Sequence, residues 1–322
     1  MILAAGLTPA WQQILLFDGL KLGQVNRARE AHWTASGKVL NVGLALHHLG
    51  GPSLTLALVG GLPGKSIEEQ FASLGINCRW VRSEKPTRVC TTLLDRPSRA
   101  MTELVENAAT VSPGDLEAFR SAYEECVSKA RFVVLSGSLP PGTPRTFYRD
   151  LIGRTPGRVV LDASGAELLE ALTCRPMCVK PNREELARTL GQELSSDEQL
   201  KDAMNELNCR GAEWVLVSHG ADALWASSNG SFYTFSPARV PVVNPIASGD
   251  CLAAGVAWAL RAGSEMPEAI RFGMPRQTMP PCCCRRGLTS NVSACERPRS
   301  PASRPPKPDC VRSSRLGASE KL

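Results

Sequence analysis

No apolar run in this chain approaches the roughly 20 residues that a membrane span needs, which excludes a helical transmembrane protein. The opening stretch Met1-Ile-Leu-Ala-Ala-Gly lacks the basic residues and the cleavage pattern of a signal peptide. It reads as a first strand, and the expected location is the cytoplasm. Aromatic residues are few, 5% of 322, whereas Ala, Leu, Val and Gly are plentiful, as suits helices packed tightly on a buried sheet. Paired cysteine spacing is missing from Cys78, Cys90, Cys126, Cys174, Cys178, Cys209 and Cys251, so scattered reduced thiols are expected there. Cys282-Cys-Cys284 has no C-x-x-C after it and no His near it, which argues against zinc.

Charge is uneven. The formal net charge is +6, yet residues 275–322 hold ten Lys/Arg against three Asp/Glu, so residues 1–274 sum to −1. The basic excess belongs to the C-terminal segment, and net charge gives a nucleic-acid surface on the body no support. That segment also holds eight Pro and almost no periodic apolar pattern, and it is expected to be disordered.

Through residues 1–274 strand-like runs alternate with helical ones. Leu54–Val59, Phe132–Leu135, Val159–Leu161 and Trp214–Val217 are continuous apolar strands. The segments 65–74, 113–129, 167–172 and 195–207 have helical composition. Such alternation predicts an α/β fold, doubly wound, with a mostly parallel sheet flanked by helices. Two stretches break the rhythm. About 12–33 and 87–106 alternate apolar and polar residues, which predicts half-exposed antiparallel strands in a small accessory sheet, a lid over one edge.

The most informative run is Asn244-Pro-Ile-Ala-Ser-Gly-Asp-Cys-Leu-Ala-Ala-Gly255. Ala247, Ser248 and Gly249 have little side chain to cover their amides at the mouth of an apolar helix, where an anion can settle. A carboxylate there, Asp250, repels such an anion; it makes sense as the group that removes a proton from a hydroxyl attacking a phosphate. The ordinary alternative is an Asp near a helix start. Other constellations accompany it. Ser36-Gly-Lys-Val-Leu-Asn41 opens a helix, with Ser36 as an N-cap in the plain reading, which leaves Asn41 unexplained. Thr87-Arg88 supplies a guanidinium fork suited to phosphate, or merely a solvated Arg on an edge strand. Leu135-Ser-Gly-Ser-Leu-Pro-Pro-Gly142, carrying Ser138, follows a strand where ligand crevices form. Asn182-x-x-Glu185 is either a pair of oxygen donors or a capping box. Val217-Ser-His-Gly-Ala-Asp222 follows another strand. Gly60-Gly-Leu-Pro-Gly-Lys-Ser66 imitates a P-loop, but the first required Gly would fall on Val59.

In order along residues 1–274, these motifs resemble the ribokinase-like (PfkB) carbohydrate kinases, particularly the branch of 1-phosphofructokinase and tagatose-6-phosphate kinase. The resemblance implies one kinase domain over 1–274, ATP as phosphoryl donor, Mg²⁺, and a small-molecule sugar phosphate as acceptor. Fructose 1-phosphate giving fructose 1,6-bisphosphate leads, ahead of tagatose 6-phosphate or an unphosphorylated sugar. It implies Asp250 as the base, the 247–249 amides as the anion hole, and Gly37, Lys38, Asn41, Arg88 and Ser138 around the acceptor. Ser218 and Gly220 would contact nucleotide, and Asn182 and Glu185 would face the magnesium through its waters. No nucleic acid or membrane is implied, and two copies pairing through the lid is the assembly it suggests.

The chain also departs from that pattern. Thr8-Pro-Ala-Trp-Gln12 stands where Asn-Pro-Ala-x-Asp is usual, Thr92 where a Lys is common, and Ala247 and Ala223 where Gly is common. An Ala at 247 is harmless only if φ there is negative. After Met274, small-residue helices that help enclose adenine give way to Pro, Cys and Arg, as a shift of reading frame near residue 274 would produce. A catalytically impaired binding protein is the alternative that this change opens.

Overall fold

The computed structural model describes residues 1–220, 222–236 and 247–274; Ala221, the Asn244-Pro-Ile part of the informative run and the whole segment 275–322 lie outside these. The chain begins with β1 (Ile2–Gly6), β2 (Ala10–Phe17) and β3 (Glu30–Ser36), then α1 (Lys38–Leu49), β4 (Ser53–Val59), α2 (Gly61–Ser73) and β5 (Cys78–Arg82). There follow β6 (Arg88–Asp95), β7 (Met101–Val105), α3 (Pro113–Val127), β8 (Phe132–Ser136), α4 (Phe147–Gly153), β9 (Arg158–Asp162) and α5 (Ala166–Ala171). The last part holds β10 (Cys178–Val179), α6 (Arg183–Leu190), α7 (Asp197–Arg210), β11 (Trp214–Val217), β12 (Leu224–Ser228), β13 (Ser231–Phe235), α8 (Ser248–Arg261) and α9 (Met266–Gly273).

A nine-stranded sheet runs in the order β13-β12-β11-β10-β9-β8-β1-β4-β5. Strands β5 through β11 of this sheet are parallel, and β12 and β13 add an antiparallel hairpin at one edge. The continuous apolar strands are explained by two cores. Leu3, Ala5, Val133 and Leu135 point into one, with α3, α4, α5 and α7. Ile2, Ala4, Phe132 and Val134 point into the other, with α1, α8 and α9. Period-two alternation is present, but both faces are dry, so the sequence reads as unbroken hydrophobicity.

The accessory sheet has the order β3-β2-β6-β7. It differs from the antiparallel expectation at its centre, because β2 and β6 pair in parallel while β2–β3 and β6–β7 are antiparallel. The connection from β3 through α1, β4, α2 and β5 returns the chain to the starting end before β6 begins, and a connection of that length allows the parallel sense, which a tight turn does not. The imitation P-loop is no loop at all: Gly61–Lys65 is the first turn of α2, with the Gly64 amide bonded to the Gly60 carbonyl.

Along the large sheet the direction of winding reverses between β1 and β8. Chains leaving β1 proceed toward β4 and those leaving β8 proceed toward β9. In open α/β sheets a crevice forms beyond the carboxyl ends of the strands at such a point.

Candidate active site

The carboxyl ends of β1, β8, β9 and β10 surround this reversal, and the first turns of α1 and α8 enter beside them. Gly37 caps α1 with φ 90°. A Cβ there would lie 2.8 Å from the Thr8 carbonyl oxygen and 3.0 Å from the Ala10 amide, so only Gly allows the strand end and helix start to touch. Ser36 is therefore the last residue of β3 and not the N-cap. This contact sets the direction of α1, whose first turn presents Lys38 and Asn41.

Asp250 lies in the first turn of α8 and is buried, 6% exposed. Asn41 Nδ2 donates to its Oδ2 at 2.7 Å. Burial is the main influence on this acid and Asp162 adds repulsion; together they outweigh Asn41, Lys180 and Lys38 and push the carboxyl up to about 6. Such a group is ionised at neutral pH yet basic enough to take a proton.

Ala247 offers no side chain to cap this turn, so among the described residues the amides of Ser248 and Gly249 are not claimed in that way. Ala247 caps the helix with φ 68° and ψ 5°, in the left-handed region. The condition for a harmless methyl at 247 is thus not met, and Ala occupies a backbone conformation that favours Gly.

Charges converge behind this turn. Lys38 Nζ donates to Asp162 Oδ1 at 3.0 Å and to Glu185 Oε1 at 3.1 Å. Lys180 Nζ stands 3.1 Å from the other oxygen, Asp162 Oδ2. Burial, the largest influence on Lys38, favours the neutral amine, but Asp162 and Glu185 outweigh it and hold the ammonium above its ordinary range. Lys180 also reaches the turn, since a Cβ at Gly249 would lie 3.1 Å from its Nζ. Asp162 is part of no motif singled out above, and Lys180 lies in the run Val179–Leu186 around Asn182 and Glu185 without a role assigned to it. The signal that would have found them is their place, one at the end of β9 and the other just past β10, directly behind the helix turn.

Asn182 and Glu185 form a complete capping box at the start of α6: Asn182 Oδ1 accepts from the Glu185 amide and Glu185 Oε2 from the Asn182 amide. The plain structural reading of this pair therefore holds, and Glu185 Oε1 is engaged by Lys38 as well. Among the described residues no group of three His, Cys, Asp or Glu side chains could hold a metal. The oxygen donors suit magnesium, but their other engagements fit a cation carried by phosphates and met through water.

Arg88 is the first residue of β6 in the small sheet. Its guanidinium makes two long contacts of 3.4 Å, to the carbonyls of Thr8 and Glu106, while Nε is buried without a partner among the described residues. The two cations that the resemblance assigned to one phosphate keep different partners here, Asp162 and Glu185 for Lys38 and two backbone carbonyls for Arg88. Ser138 is exposed and its carbonyl accepts from Thr8 Oγ1 at 3.1 Å. The Ser218 carbonyl accepts from the Arg183 amide at 2.9 Å, and Gly220, with φ 55°, is exposed.

Two of the departures turn out to be one. Gln12 Nε2 donates to Thr92 Oγ1 at 2.7 Å, and both side chains are buried. The residues usual at these positions, Asp and Lys, are oppositely charged; here a neutral hydrogen-bonded pair bridges β2 and β6 instead.

Comparison with known proteins gives the same picture. Residues 11–275 match the model for the pfkB family carbohydrate kinase. The solved structure of the tetrameric inhibited form of phosphofructokinase-2 from Escherichia coli aligns with a TM-score of 0.78 at 24% identity, over 84% of this chain and 91% of that one. A possible 1-phosphofructokinase from Thermotoga maritima aligns with 0.77 at 23%, over 84% and 89%. Ribokinase from the same organism aligns with 0.69 at 19%, over 84% and 90%. Identities this low speak for the shared fold, and the family match spans most of the sequence: this chain belongs to the pfkB family of carbohydrate kinases, phosphotransferases that act on sugars.

Proposed function

We propose that this kinase transfers the γ-phosphoryl group of ATP to a hydroxyl of a sugar phosphate, with fructose 1-phosphate giving fructose 1,6-bisphosphate as the leading reaction. The carrying observation is Asp250: a buried carboxyl with a raised proton affinity, held by one neutral amide, beside uncapped amides and two ammonium groups. As the acceptor oxygen bonds to the γ-phosphorus and the bond to the ADP oxygen breaks, the hydroxyl proton passes to Asp250. The Ala247–Gly249 amides and Lys180 meet the charge of the transferring group. Lys38 belongs on the same, nucleotide side, and Asn41 orients Asp250. Gly37 and Ser138 border the acceptor.

Magnesium held by the nucleotide phosphates would neutralise charge, with Asn182 and Glu185 meeting it through water. Ser218 and Gly220 would border the nucleotide. Arg88 supports a phosphorylated acceptor, since an unpaired buried guanidinium nitrogen is costly unless an anion meets it. A second reading, an unphosphorylated sugar, draws support from Thr92 in place of a usual Lys.

A panel of fructose 1-phosphate, tagatose 6-phosphate, fructose and ribose with Mg·ATP tests the assignment. Turnover of the hexose phosphates, with loss on Arg88→Gln expressed mainly in the acceptor KM, supports it. Preference for a free sugar sinks it.

A further inference from the structure

Asp162 is fully buried, and it faces an ammonium group with each oxygen: Lys38 from α1 at 3.0 Å and Lys180 from the end of β10 at 3.1 Å. A carboxylate in such a place loses several kcal/mol of hydration. Lys180 also reaches the turn in front of Asp250, where a Cβ at Gly249 would lie 3.1 Å from its Nζ. What the arrangement does accomplish is visible at Asp250. The charged groups around that acid are Asp162 at the end of β9, Lys180 past β10 and Lys38 on α1. The hydrogen bond it receives comes from neutral Asn41 instead of from either lysine.

We propose that Asp162 is a positioning residue that takes both lysines for itself, which holds them at the phosphate turn and keeps them from pairing with Asp250. A base captured by an ammonium group would hold its proton poorly and accept one reluctantly. Two tasks that conflict, gathering cations for the phosphates and sparing the base from them, are thereby met with one extra carboxylate. The proposal rests on the reading of Asp250 as the base.

The test follows the Asp250 carboxyl by ¹³C NMR titration in the native chain and in Asp162→Asn, alongside the pH profile of kcat. In the variant the lysines turn to Asp250 and its repulsive neighbour is gone. Its titration and the acid limb of kcat are expected to fall together by about one pH unit or more. An Asp250 titration that stays near 6 in Asp162→Asn would overturn the proposal. If the single variant does not fold, Asp162→Asn/Lys180→Gln removes one charge of each sign and leaves Lys38 free to turn to Asp250. Its titration is then expected to fall by a smaller amount, and one that matches the native value would count against the proposal. The NMR readout needs no turnover, so a native chain that phosphorylates none of the sugars sinks the kinase assignment separately.

Discussion

At Asp250, function and stability pull in opposite directions. The folded chain holds this proton more tightly than the unfolded chain, about 6 against 3.8, so its contribution to stability is complete below the lower value and is lost as pH rises through the upper one. With Asp250 as the proposed base, activity runs the other way, because that group must be ionised. The expected acid limb of kcat therefore lies near 6. Asp250→Asn should lower kcat by roughly 10²–10⁴ while raising the melting temperature at pH 8, checked by initial rates and calorimetry on the same preparation. Loss of stability in that variant would contradict the buried, strained charge described above. Ala247 offers a second trade at the neighbouring position. Its left-handed backbone should cost about 1 kcal/mol, so Ala247→Gly is expected to stabilise by that order in urea denaturation. The place of Asp250 in the first turn of a helix was legible from the run of small residues before it. The sign of φ at Ala247 was not, because it depends on how the preceding segment enters the helix.

Between elements, the coupling of β2 to β6 carries the clearest consequence. Gln12 and Thr92 are eighty residues apart and meet only because these strands lie side by side in parallel. Replacing one partner alone leaves a buried carboxylate or ammonium without its counter-charge, whereas replacing both restores a pair. Gln12→Asp and Thr92→Lys should each lower stability and acceptor kcat/KM. The double variant should recover most of the loss, giving a coupling of about 1–3 kcal/mol in a double-mutant cycle. Additive losses would show that the two positions act independently. Read as a string, Gln12 and Thr92 were two unrelated departures, and the alternating patterns around them implied antiparallel strands throughout. The long crossover through α1, β4, α2 and β5 is what allows the central pair to be parallel. Much the same holds for Asn182 and Glu185, whose spacing permitted both a metal role and a cap. The fold closes the cap, and the neighbouring Lys38 takes the remaining oxygen.

For the molecule as a whole, the small sheet ends in two edge strands, β3 and β7, that expose Trp33, Met101, Leu104 and Val105. Apolar side chains on open edges favour pairing with another chain. We expect two copies to associate through this sheet, and Leu104→Glu/Val105→Lys to yield monomers in sedimentation velocity runs; a native chain that sediments as a monomer at micromolar concentration would refute it. No helix among the described residues is long and apolar enough to cross a membrane.

The amino-acid string alone determined the layered α/β architecture, because apolar runs of strand length between helical segments can be buried only in a covered parallel sheet. It also determined the acid at the helix mouth, since local chemistry there depends on neighbours in sequence. Tertiary structure decided what depends on strand order: which cations share a carboxylate and which departures meet each other. Asp162, Lys38 and Lys180 become a unit because β9, α1 and β10 end at one place. Electrostatic coupling at 3 Å is a property of that convergence, not of spacing along the chain.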